Sequence, residues 1–492
     1  MPEKSRHEIL VCGADRQFHV TLQMPSSIAL LLWLLVVLAL LRFDPARDSR
    51  TSLALWVPVI WMFIVASRLP SQWLGGQIQT ASEALEEGNG LDRAVLACLI
   101  LLALVILLLR SFHWGSFFGR NFVLTIFLLF ALTSVMWSDF PFVAFKRWFR
   151  DFGGYLAILV VLSDPHPLEA VRTVLRRLCF LFIPLSILLV KYFPYIGKQY
   201  EFWSGNNMFV GAATSKNMLG VACLVSGIYF FWDTLSRWPD RKQRRAKLAI
   251  FVNLVLFAMS LYLLNLANSA TSKVCLALGC LVLAAAHMRR IKRHPAILET
   301  LIPVTLCAYM IMQFGFGING ELAGMVGRNA NLTGRTDLWK LLLSMHTNPL
   351  LGTGYDSFWL GPRLAFVWQS FVGTGINEAH NGYLEVYLNL GLIGLLLIVA
   401  FLIASYRNIG KALSAGSSLG SLSLALWTVL LFYNVSESAF RGSQLMWVTF
   451  LLGAIAVSQT AKDRVSSVPA FSRANAQESL SSLPLEPTPL ER

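Results

Sequence analysis

Apolar runs recur along the whole chain and are separated by short polar stretches. A helix needs about 20 apolar residues to cross the hydrocarbon core of a bilayer, and most of the runs approach that length. The pattern predicts an all-α polytopic membrane protein of about 12 to 13 membrane helices. Their apolar centres are Ile28–Leu41, Leu53–Ala66, Ala94–Leu109, Phe122–Met136, Tyr155–Leu162, Leu175–Val190, Met218–Trp232, Leu248–Leu266, Val274–His287, Ile297–Phe314, Tyr383–Ile403, Leu422–Val435 and Leu445–Val457.

These runs divide the chain into five parts. A polar leader covers 1–26, ten membrane helices cover 27–314, a long polar segment covers 315–381, three further membrane helices cover 382–460, and a tail rich in Ser and Pro covers 461–492. We expect the tail to be disordered and cytoplasmic. The leader does not have the short basic form of a cleavable signal peptide, so we interpret the first apolar run as a span.

Composition excludes a soluble enzyme, because 55% of the residues are hydrophobic, 14% are charged and the mean hydropathy is +0.59. The net charge of +14 does not indicate a nucleic-acid-binding protein, since most basic residues lie in short loops beside the apolar runs, where anionic lipid explains them. The seven Cys residues have no metal-ligand spacing and are expected to be small packing residues.

Loop charge predicts the orientation, because Lys and Arg accumulate in cytoplasmic loops. Two loops carry ten of them and should be cytoplasmic: Arg237, Arg241, Lys242, Arg244, Arg245 and Lys247 in the first, and Arg289, Arg290, Lys292 and Arg293 in the second. One further span then places the segment 315–381 outside, as one large periplasmic loop.

The outer segment contains a candidate phosphate site at Arg335. Thr336 can cap a helix whose apolar residues Leu338, Leu341, Leu342 and Met345 share one face, so this amphipathic helix should lie on the membrane surface. Arg335 would stand just before its first turn, where backbone N–H groups and a guanidinium both suit a phosphate. The alternative is a surface arginine paired with Asp337 or with lipid phosphate.

The same segment ends in Glu378-Ala379-His380-Asn381, where the next span begins. We expect His380 to lie in the first turn of that helix, where the helix dipole disfavours a cation and keeps the imidazole neutral. A neutral imidazole can act as a general base. The alternative is an interfacial histidine that only satisfies the backbone.

Two further outer stretches carry unexpected positive charge. Segment 137–151 contains Lys146, Arg147 and Arg150 among aromatic residues, and segment 192–217 ends with Lys216 beside Asn217. An anionic ligand at the membrane surface, such as a lipid pyrophosphate, would explain these cations. The alternative is that 137–151 is an inside loop.

Taken together, these motifs resemble the O-antigen ligase and polymerase superfamily over roughly residues 130–405. The resemblance rests on Gly334-Arg335 with Trp339, on Asn348-Pro349-Leu350-Leu351-Gly352-Thr353-Gly354, on Glu378-Ala379-His380-Asn381-Gly382-Tyr383-Leu384, and on Gly391-Leu392-Ile393-Gly394. The stretches Trp137-Ser138-Asp139-Phe140-Pro141 with Arg147 and Ser215-Lys216-Asn217-Met218-Leu219-Gly220 resemble its exopolysaccharide-polymerase branch.

The resemblance implies a metal-independent membrane glycosyltransferase that needs no cofactor and faces the periplasm from the bacterial inner membrane. Its donor would be a glycan linked to undecaprenyl pyrophosphate, and its acceptor another glycan or lipid A core. Polysaccharide export and chain-length proteins are candidate partners. The family's essential Arg and His correspond to Arg335 and His380, and Lys273 stands where some members have an Arg.

The residues are consistent with that chemistry. Arg335 with Arg147, Arg150, Lys216 and Lys273 would neutralise the leaving pyrophosphate, His380 would deprotonate the acceptor, and Glu378 and Asn381 would line the site. A single displacement with inversion is the expected mechanism. The main rival is a transporter or flippase of lipid-linked glycans, which the low charge at the centres of the apolar runs disfavours. A structural or sensory scaffold would leave the outer cations unexplained.

Overall fold

The computed structural model of the protein describes residues 24–42, 52–75, 88–110, 112–200, 207–316, 335–371 and 375–466. The predicted all-α architecture is confirmed, and each of the thirteen predicted spans overlaps a helix. A two-stranded antiparallel ribbon, β1 (Lys198–Tyr200) and β2 (Asn207–Phe209), is the strand pairing among these residues. Most of the predicted leader and tail, together with Thr333 and Gly334, lie outside the described residues.

Numbered in chain order, the helices are α1 (Ser26–Arg42), α2 (Trp56–Ala66), α3 (Pro70–Trp73), α4 (Gly90–Leu109), α5 (Trp114–Arg120), α6 (Phe122–Thr133), α7 (Pro141–Leu162), α8 (Pro167–Tyr192), α9 (Pro194–Gly197), α10 (Lys216–Arg237), α11 (Arg244–Ala267), α12 (Ala270–His287), α13 (Arg289–Arg293), α14 (Ala296–Phe316), α15 (Arg335–Ser344), α16 (Gly361–Ser370), α17 (Gly382–Ser414), α18 (Ser418–Ser436) and α19 (Leu445–Ser466). Short 3₁₀ turns cover Leu53–Leu55, Ser134–Trp137 and Trp238–Asp240.

Seven helices of the described chain are long and apolar enough to cross a membrane: α4, α8, α10, α11, α12, α17 and α18. Helices α5 and α6 are bent by 95° at their junction and make an eighth span if they count as one. Four further apolar helices are shorter, at 10–17 residues. The protein is therefore a multi-pass membrane protein, while the full number of crossings stays a prediction.

The centre of the bundle is formed by α8, α10 and α18, whose side chains are mostly buried by other helices. Helices α1 and α4 lie at the outside and expose many Leu and Val side chains. Exposed apolar side chains of this kind are stable only where lipid covers them.

The sequence suggested that segment 137–151 is a loop, but most of it is helical. Helix α7 begins at Pro141 and continues to Leu162. Proline suits the first position of a helix, where its missing N–H has no partner to lose. The first half of α7 carries the basic residues and the second half is the short apolar run predicted as Tyr155–Leu162. One helix thus runs from the charged end of the bundle into its apolar interior.

The described part of the outer segment is folded against the bundle. The predicted amphipathic helix is confirmed as α15, with Leu338 and Leu342 buried against Phe358, Trp359 and Leu388. It begins at Arg335, so Thr336 lies in its first turn and the prediction that Thr336 caps it is wrong. The helix packs on a small core of its own, to which Leu388 of α17 contributes.

Helix α17 breaks at Gly391, and the turn 348–354 fills the break. Gly391 has φ +63°, and a Cβ there would collide with the Leu350 carbonyl. The N–H groups of Leu392 and Ile393, freed by the break, donate to Pro349 O at 2.9 Å and Leu350 O at 3.2 Å. Gly391 therefore lets the turn approach the backbone of α17 closely, and the turn motif fixes the outer segment to α17.

Candidate functional site

Arg335 is placed by the start of α15 and reaches across to the end of α18. Its Nη2 lies 3.1 Å from Glu437 Oε1, and its Nη1 donates to the Ser436 carbonyl. The pairing with Asp337 that was considered as an alternative is not what the structure shows. Arg335 is instead held, side chain mostly buried, at the junction of two elements about one hundred residues apart in the chain.

His380 lies immediately before α17 rather than in its first turn. Asn381 is the N-cap and its Oδ1 accepts from Tyr383 N at 3.1 Å and Leu384 N at 3.0 Å. His380 itself has φ +49°, a left-handed conformation that costs a non-glycine residue about 1 kcal/mol or more. The prediction that His380 lies in the first turn of the helix is therefore wrong. His380 precedes the helix, and Asn381 caps it.

The strained backbone of His380 is held by contacts on the preceding residue. Ala379 N donates to the buried Glu385 carboxylate at 2.8 Å, and Ala379 O accepts from Trp339 Nε1 at 2.8 Å. Asp356 also has φ +49°, and strain of this kind persists only where the surroundings over-determine it. Both strained residues lie in the candidate site.

Glu437, which sequence reasoning did not single out, joins several of these groups. Besides Arg335, its carboxylate lies 3.6 Å from His380 Nδ1, and both of its oxygens accept from Asn217 Nδ2 at 3.3 Å. Glu378 completes the surroundings of the imidazole, with Oε1 at 3.0 Å from His380 Nδ1. The histidine thus lies between two carboxylates.

A second half of the site is organised by Asp356 and Arg441. Arg441 Nη1 donates to Asp356 Oδ1 at 2.9 Å, and its Nη2 lies 3.5 Å from Glu378 Oε2. Asp356 Oδ2 lies 3.6 Å from Arg147 Nη1 and 3.8 Å from Arg150 Nη2. Shared partners make one continuous group, named here the charge cluster: Arg147, Arg150, Arg335, Asp356, Glu378, His380, Glu437 and Arg441.

The carboxylates reverse the expected protonation of His380. Burial disfavours the imidazolium, but hydrogen bonds and attraction to Glu378 and Glu437 outweigh it and raise the pKa of His380 to about 9. The sequence-based expectation of a neutral imidazole in the unliganded protein is therefore wrong. Burial would raise the pKa of Glu378, but His380 and Arg441 hold it below its usual value, so this acid is ionised.

Neighbouring arginine side chains likewise lower the pKa of Asp356. Burial would raise the pKa of Asp356, but the guanidinium groups of Arg147, Arg441 and Arg150 lower it below its usual value. Each carboxylate of the charge cluster thus has at least one neighbouring Arg or His. Such a set can exchange one of its carboxylates for a phosphate without leaving a cation unpaired.

Glu378, His380 and Glu437 could also hold a metal ion, since each offers a ligand atom and these atoms lie within 4.8 Å of one another. Two features favour ion pairing instead. Glu437 already accepts from Arg335 and Asn217, and a protonated imidazole has no lone pair for a metal. Metal independence stays a prediction.

The predicted cations differ in where the structure places them. Arg147, Arg150 and Arg335 all join the charge cluster, so segment 137–151 lies at the same end of the bundle as Arg335. Which side of the membrane that end faces stays a prediction. Lys216 begins α10 beside Asn217, which does reach Glu437.

Lys273 is less central than the resemblance implies. Its Nζ donates to Asn265 Oδ1 at 3.2 Å and lies 3.5 Å from Asn268 Oδ1, both at the end of α11. The start of α12 nevertheless approaches the site, because Thr271 Oγ1 lies 2.8 Å from Ser436 Oγ. The structure does not pair Lys273 with any described member of the charge cluster.

Glu437 and Arg441 were missed because they lie in a short connection between two spans. A signal was present, since counting spans places the stretch between α18 and α19 on the same side as the outer segment. This eight-residue connection carries two charged residues, Glu437 and Arg441, just as segment 137–151 carries charge on the predicted outer side.

Comparison with known proteins gives two matches. The sequence model of the O-antigen ligase family matches residues 254–399, a region that includes Arg335, Glu378 and His380. The predicted family resemblance is confirmed. The chain is also 27% identical over 295 residues to the exopolysaccharide production protein ExoQ of Rhizobium meliloti (strain 1021). That match covers 57% of this chain and 63% of the relative, so the chain spans somewhat less than two thirds of the relative's length.

Proposed function

We propose that the protein is a membrane glycosyltransferase of polysaccharide assembly, which moves a glycan from undecaprenyl pyrophosphate to a sugar hydroxyl. The observation that carries this proposal is the charge cluster, in which three carboxylates join four guanidinium groups and a histidine at one end of the bundle. The O-antigen ligase match and the name of the exopolysaccharide relative support it. In this proposal the cluster faces the periplasm from the bacterial inner membrane.

The arginines neutralise the leaving group. A lipid pyrophosphate leaves with the electron pair of the anomeric C–O bond, so its departure is favoured by cations that bind the charge it gains. Arg335 and Arg441 come from two different elements and can hold the pyrophosphate from two sides, with Arg147 and Arg150 behind Asp356. Guanidinium groups suit this role because their planar fork donates two hydrogen bonds to one phosphate.

In its neutral form, His380 takes the proton of the acceptor hydroxyl. The hydroxyl oxygen forms a bond to the anomeric carbon as the bond to pyrophosphate breaks, and the hydroxyl proton passes to the imidazole. Glu378 holds Nδ1, which leaves Nε2 to accept the proton, an arrangement in which a carboxylate orients the base and stabilises the resulting imidazolium. A single displacement of this kind inverts the configuration at the anomeric carbon.

The acceptor is proposed to be a growing polysaccharide, which makes the protein a polymerase. The exopolysaccharide relative favours this assignment over lipid A core, the acceptor of a ligase. The transporter alternative is weakened by the position of the charge cluster, which lies at helix ends rather than in the middle of the apolar spans.

The test is glycan transfer by the purified protein, with undecaprenyl-pyrophosphate-linked repeat units and EDTA present. Wild type should make longer lipid-linked chains, whereas His380→Ala and Arg335→Gln should not. The matched controls are His346→Ala and Arg363→Gln, since His346 is exposed, and Arg363 pairs with Asp139 and lies over the Phe358 ring, outside the charge cluster. Both controls should retain wild-type activity.

Each other outcome has a defined meaning. Transfer only after lipid A core is added would identify a ligase, and transfer that EDTA abolishes would contradict metal independence. A product that retains the anomeric configuration of the donor would contradict the single displacement. No transfer to either acceptor, with the lipid-linked glycan moved across a vesicle membrane instead, would identify a transporter.

A further inference from the structure

A pocket lies at the end of the bundle opposite the charge cluster. Helix α7 carries Arg147 in the charge cluster and reaches Leu162 in this pocket, so the two sites are about 22 Å apart along its axis at 1.5 Å per residue. The pocket has a volume of about 370 Å³, within the range of small-ligand sites. It is therefore separate from the site of the proposed transfer reaction.

The polar lining of this pocket is basic. Arg110, His113, Ser116, Arg120 and Ser163 supply its polar side chains, and no acidic residue of the described chain lines it. Arg110 is fixed in place, because its Nη1 donates to Val160 O and Ser163 Oγ, each at 2.9 Å. The Nη2 of Arg110 lies 3.4 Å from Asp164 Oδ2, so this carboxylate balances part of the charge of Arg110.

The pocket is shaped by the sharp turn between α5 and α6. Phe112, Trp114, Phe117 and Phe118 form a chain of ring contacts with centroids 5.0–6.0 Å apart within and just before α5. Helices α5 and α6 are bent by 95° at their junction, and Arg120 at the end of α5 lines the same pocket as Arg110.

Large apolar side chains lie exposed beside the basic lining. Leu109 is 80% exposed, Phe122 is 63% exposed and Phe118 is 44% exposed. A polar, basic pocket that adjoins exposed apolar surface matches an amphiphile, whose phosphate enters the pocket and whose chains cover the apolar side chains. A free anion would contact only the basic pocket and would leave the apolar surface uncovered.

We propose that this pocket binds the phosphate group of an anionic phospholipid, with Arg110 and Arg120 as its guanidinium donors. Guanidinium groups from Arg110, just after α4, and Arg120 of α5 hold the phosphodiester, and Ser116 offers a hydroxyl group to it. This inference does not depend on the proposed glycosyltransferase activity, because it concerns the other end of the molecule.

The test measures lipid retention and thermal unfolding of the full-length protein in a nonionic detergent. Phosphatidylglycerol, phosphatidylcholine and inorganic phosphate are titrated separately, and retained lipid is counted by native mass spectrometry. Wild type should retain phosphatidylglycerol and gain thermal stability from it. Arg120→Gln should weaken this binding about tenfold or more, since a charge-assisted hydrogen bond is lost.

Two further variants complete the design. Ser116→Phe fills the pocket without changing its charge and should also abolish retention, so it decides the result if Arg120→Gln does not fold. Arg289→Gln is the matched control, because Arg289 is an exposed arginine of α13 outside the pocket.

Three results would overturn the proposal. Equal retention of phosphatidylcholine would remove the role of the anionic headgroup. Equal stabilisation by inorganic phosphate would identify a free-anion site rather than a lipid site. Wild-type lipid binding by both folded pocket variants would place the bound lipid elsewhere.

Discussion

The pH dependence of transfer is the most direct test of the role proposed for His380. The pKa of this imidazole is raised from 6.5 to about 9 by its two carboxylate neighbours, against the opposing effect of burial. At pH 7 only about one molecule in a hundred then carries the neutral imidazole that can accept a proton. If His380 is the general base, kcat/KM should rise about tenfold per pH unit from pH 7 and level off near pH 9.

A single substitution should move this profile. Glu378→Gln removes the negative charge nearest to Nδ1, at 3.0 Å, and keeps the side-chain volume. Loss of an opposite charge at this distance lowers a histidine pKa by about 1–3 units. The levelling-off should therefore move from about pH 9 toward neutral pH. Asp337→Asn is the control, because Asp337 is an exposed acid of the same segment and should leave the profile unchanged.

The assay is the initial rate of chain extension between pH 6 and pH 10, at donor concentrations well below KM. A rate that stays flat or falls between pH 7 and pH 9 would refute the general-base assignment. A falling rate would instead indicate that the imidazolium assists the leaving group.

Three further predictions concern the same site. Because the folded pKa of His380 exceeds its unfolded value, its stabilisation is complete below pH 6.5 and is lost as the pH rises through about 9. This stabilisation by His380 amounts to roughly 3 kcal/mol at most. The Tm of wild type should therefore fall between pH 7 and pH 10, and the Tm of His380→Asn should fall by a smaller amount. Arg441→Gln removes one cationic partner from Asp356 and one from Glu378, and should lower stability by about 1.5–3 kcal/mol and abolish transfer, which denaturation and activity assays would measure; wild-type values in both would contradict the pairing. Gly382→Ala should reduce transfer strongly because its Cβ would collide with Asn434 Oδ1, whereas Gly90→Ala enters open space and should be neutral in the same rate assay; equal rates would show that α17 can shift without cost.

The membrane helices could be predicted because their signal is local. Apolar runs, the Ser215 cap of α10 and the Asn381 cap of α17 are each contained within a few residues of sequence. The break of α17 at Gly391 was not predicted, and its partner turn at 348–354 could be placed only by the fold.

The chemistry of the site was only half predictable. Arg335 and His380 were found from local motifs, whereas their shared partner Glu437 lies 102 residues from the first and 57 from the second. The protonation state of His380 was mispredicted for this reason. A helix N-terminus disfavours a nearby cation by about 0.3–1 kcal/mol, and this local effect is overcome by two carboxylates at 3.0 and 3.6 Å from Nδ1, one of which belongs to a distant element.

The carboxylates of the charge cluster have a physical role in a site proposed to bind an anion. Four guanidinium groups brought together without counter-ions would repel one another, so Asp356, Glu378 and Glu437 hold them in place while the donor is absent. A pyrophosphate must then exchange with these acids instead of entering an empty basic patch. Glu437 contacts both Arg335 and His380, so a donor that draws Arg335 away changes the surroundings of the imidazole at the same time. We infer that donor binding and proton acceptance are coupled through this one carboxylate.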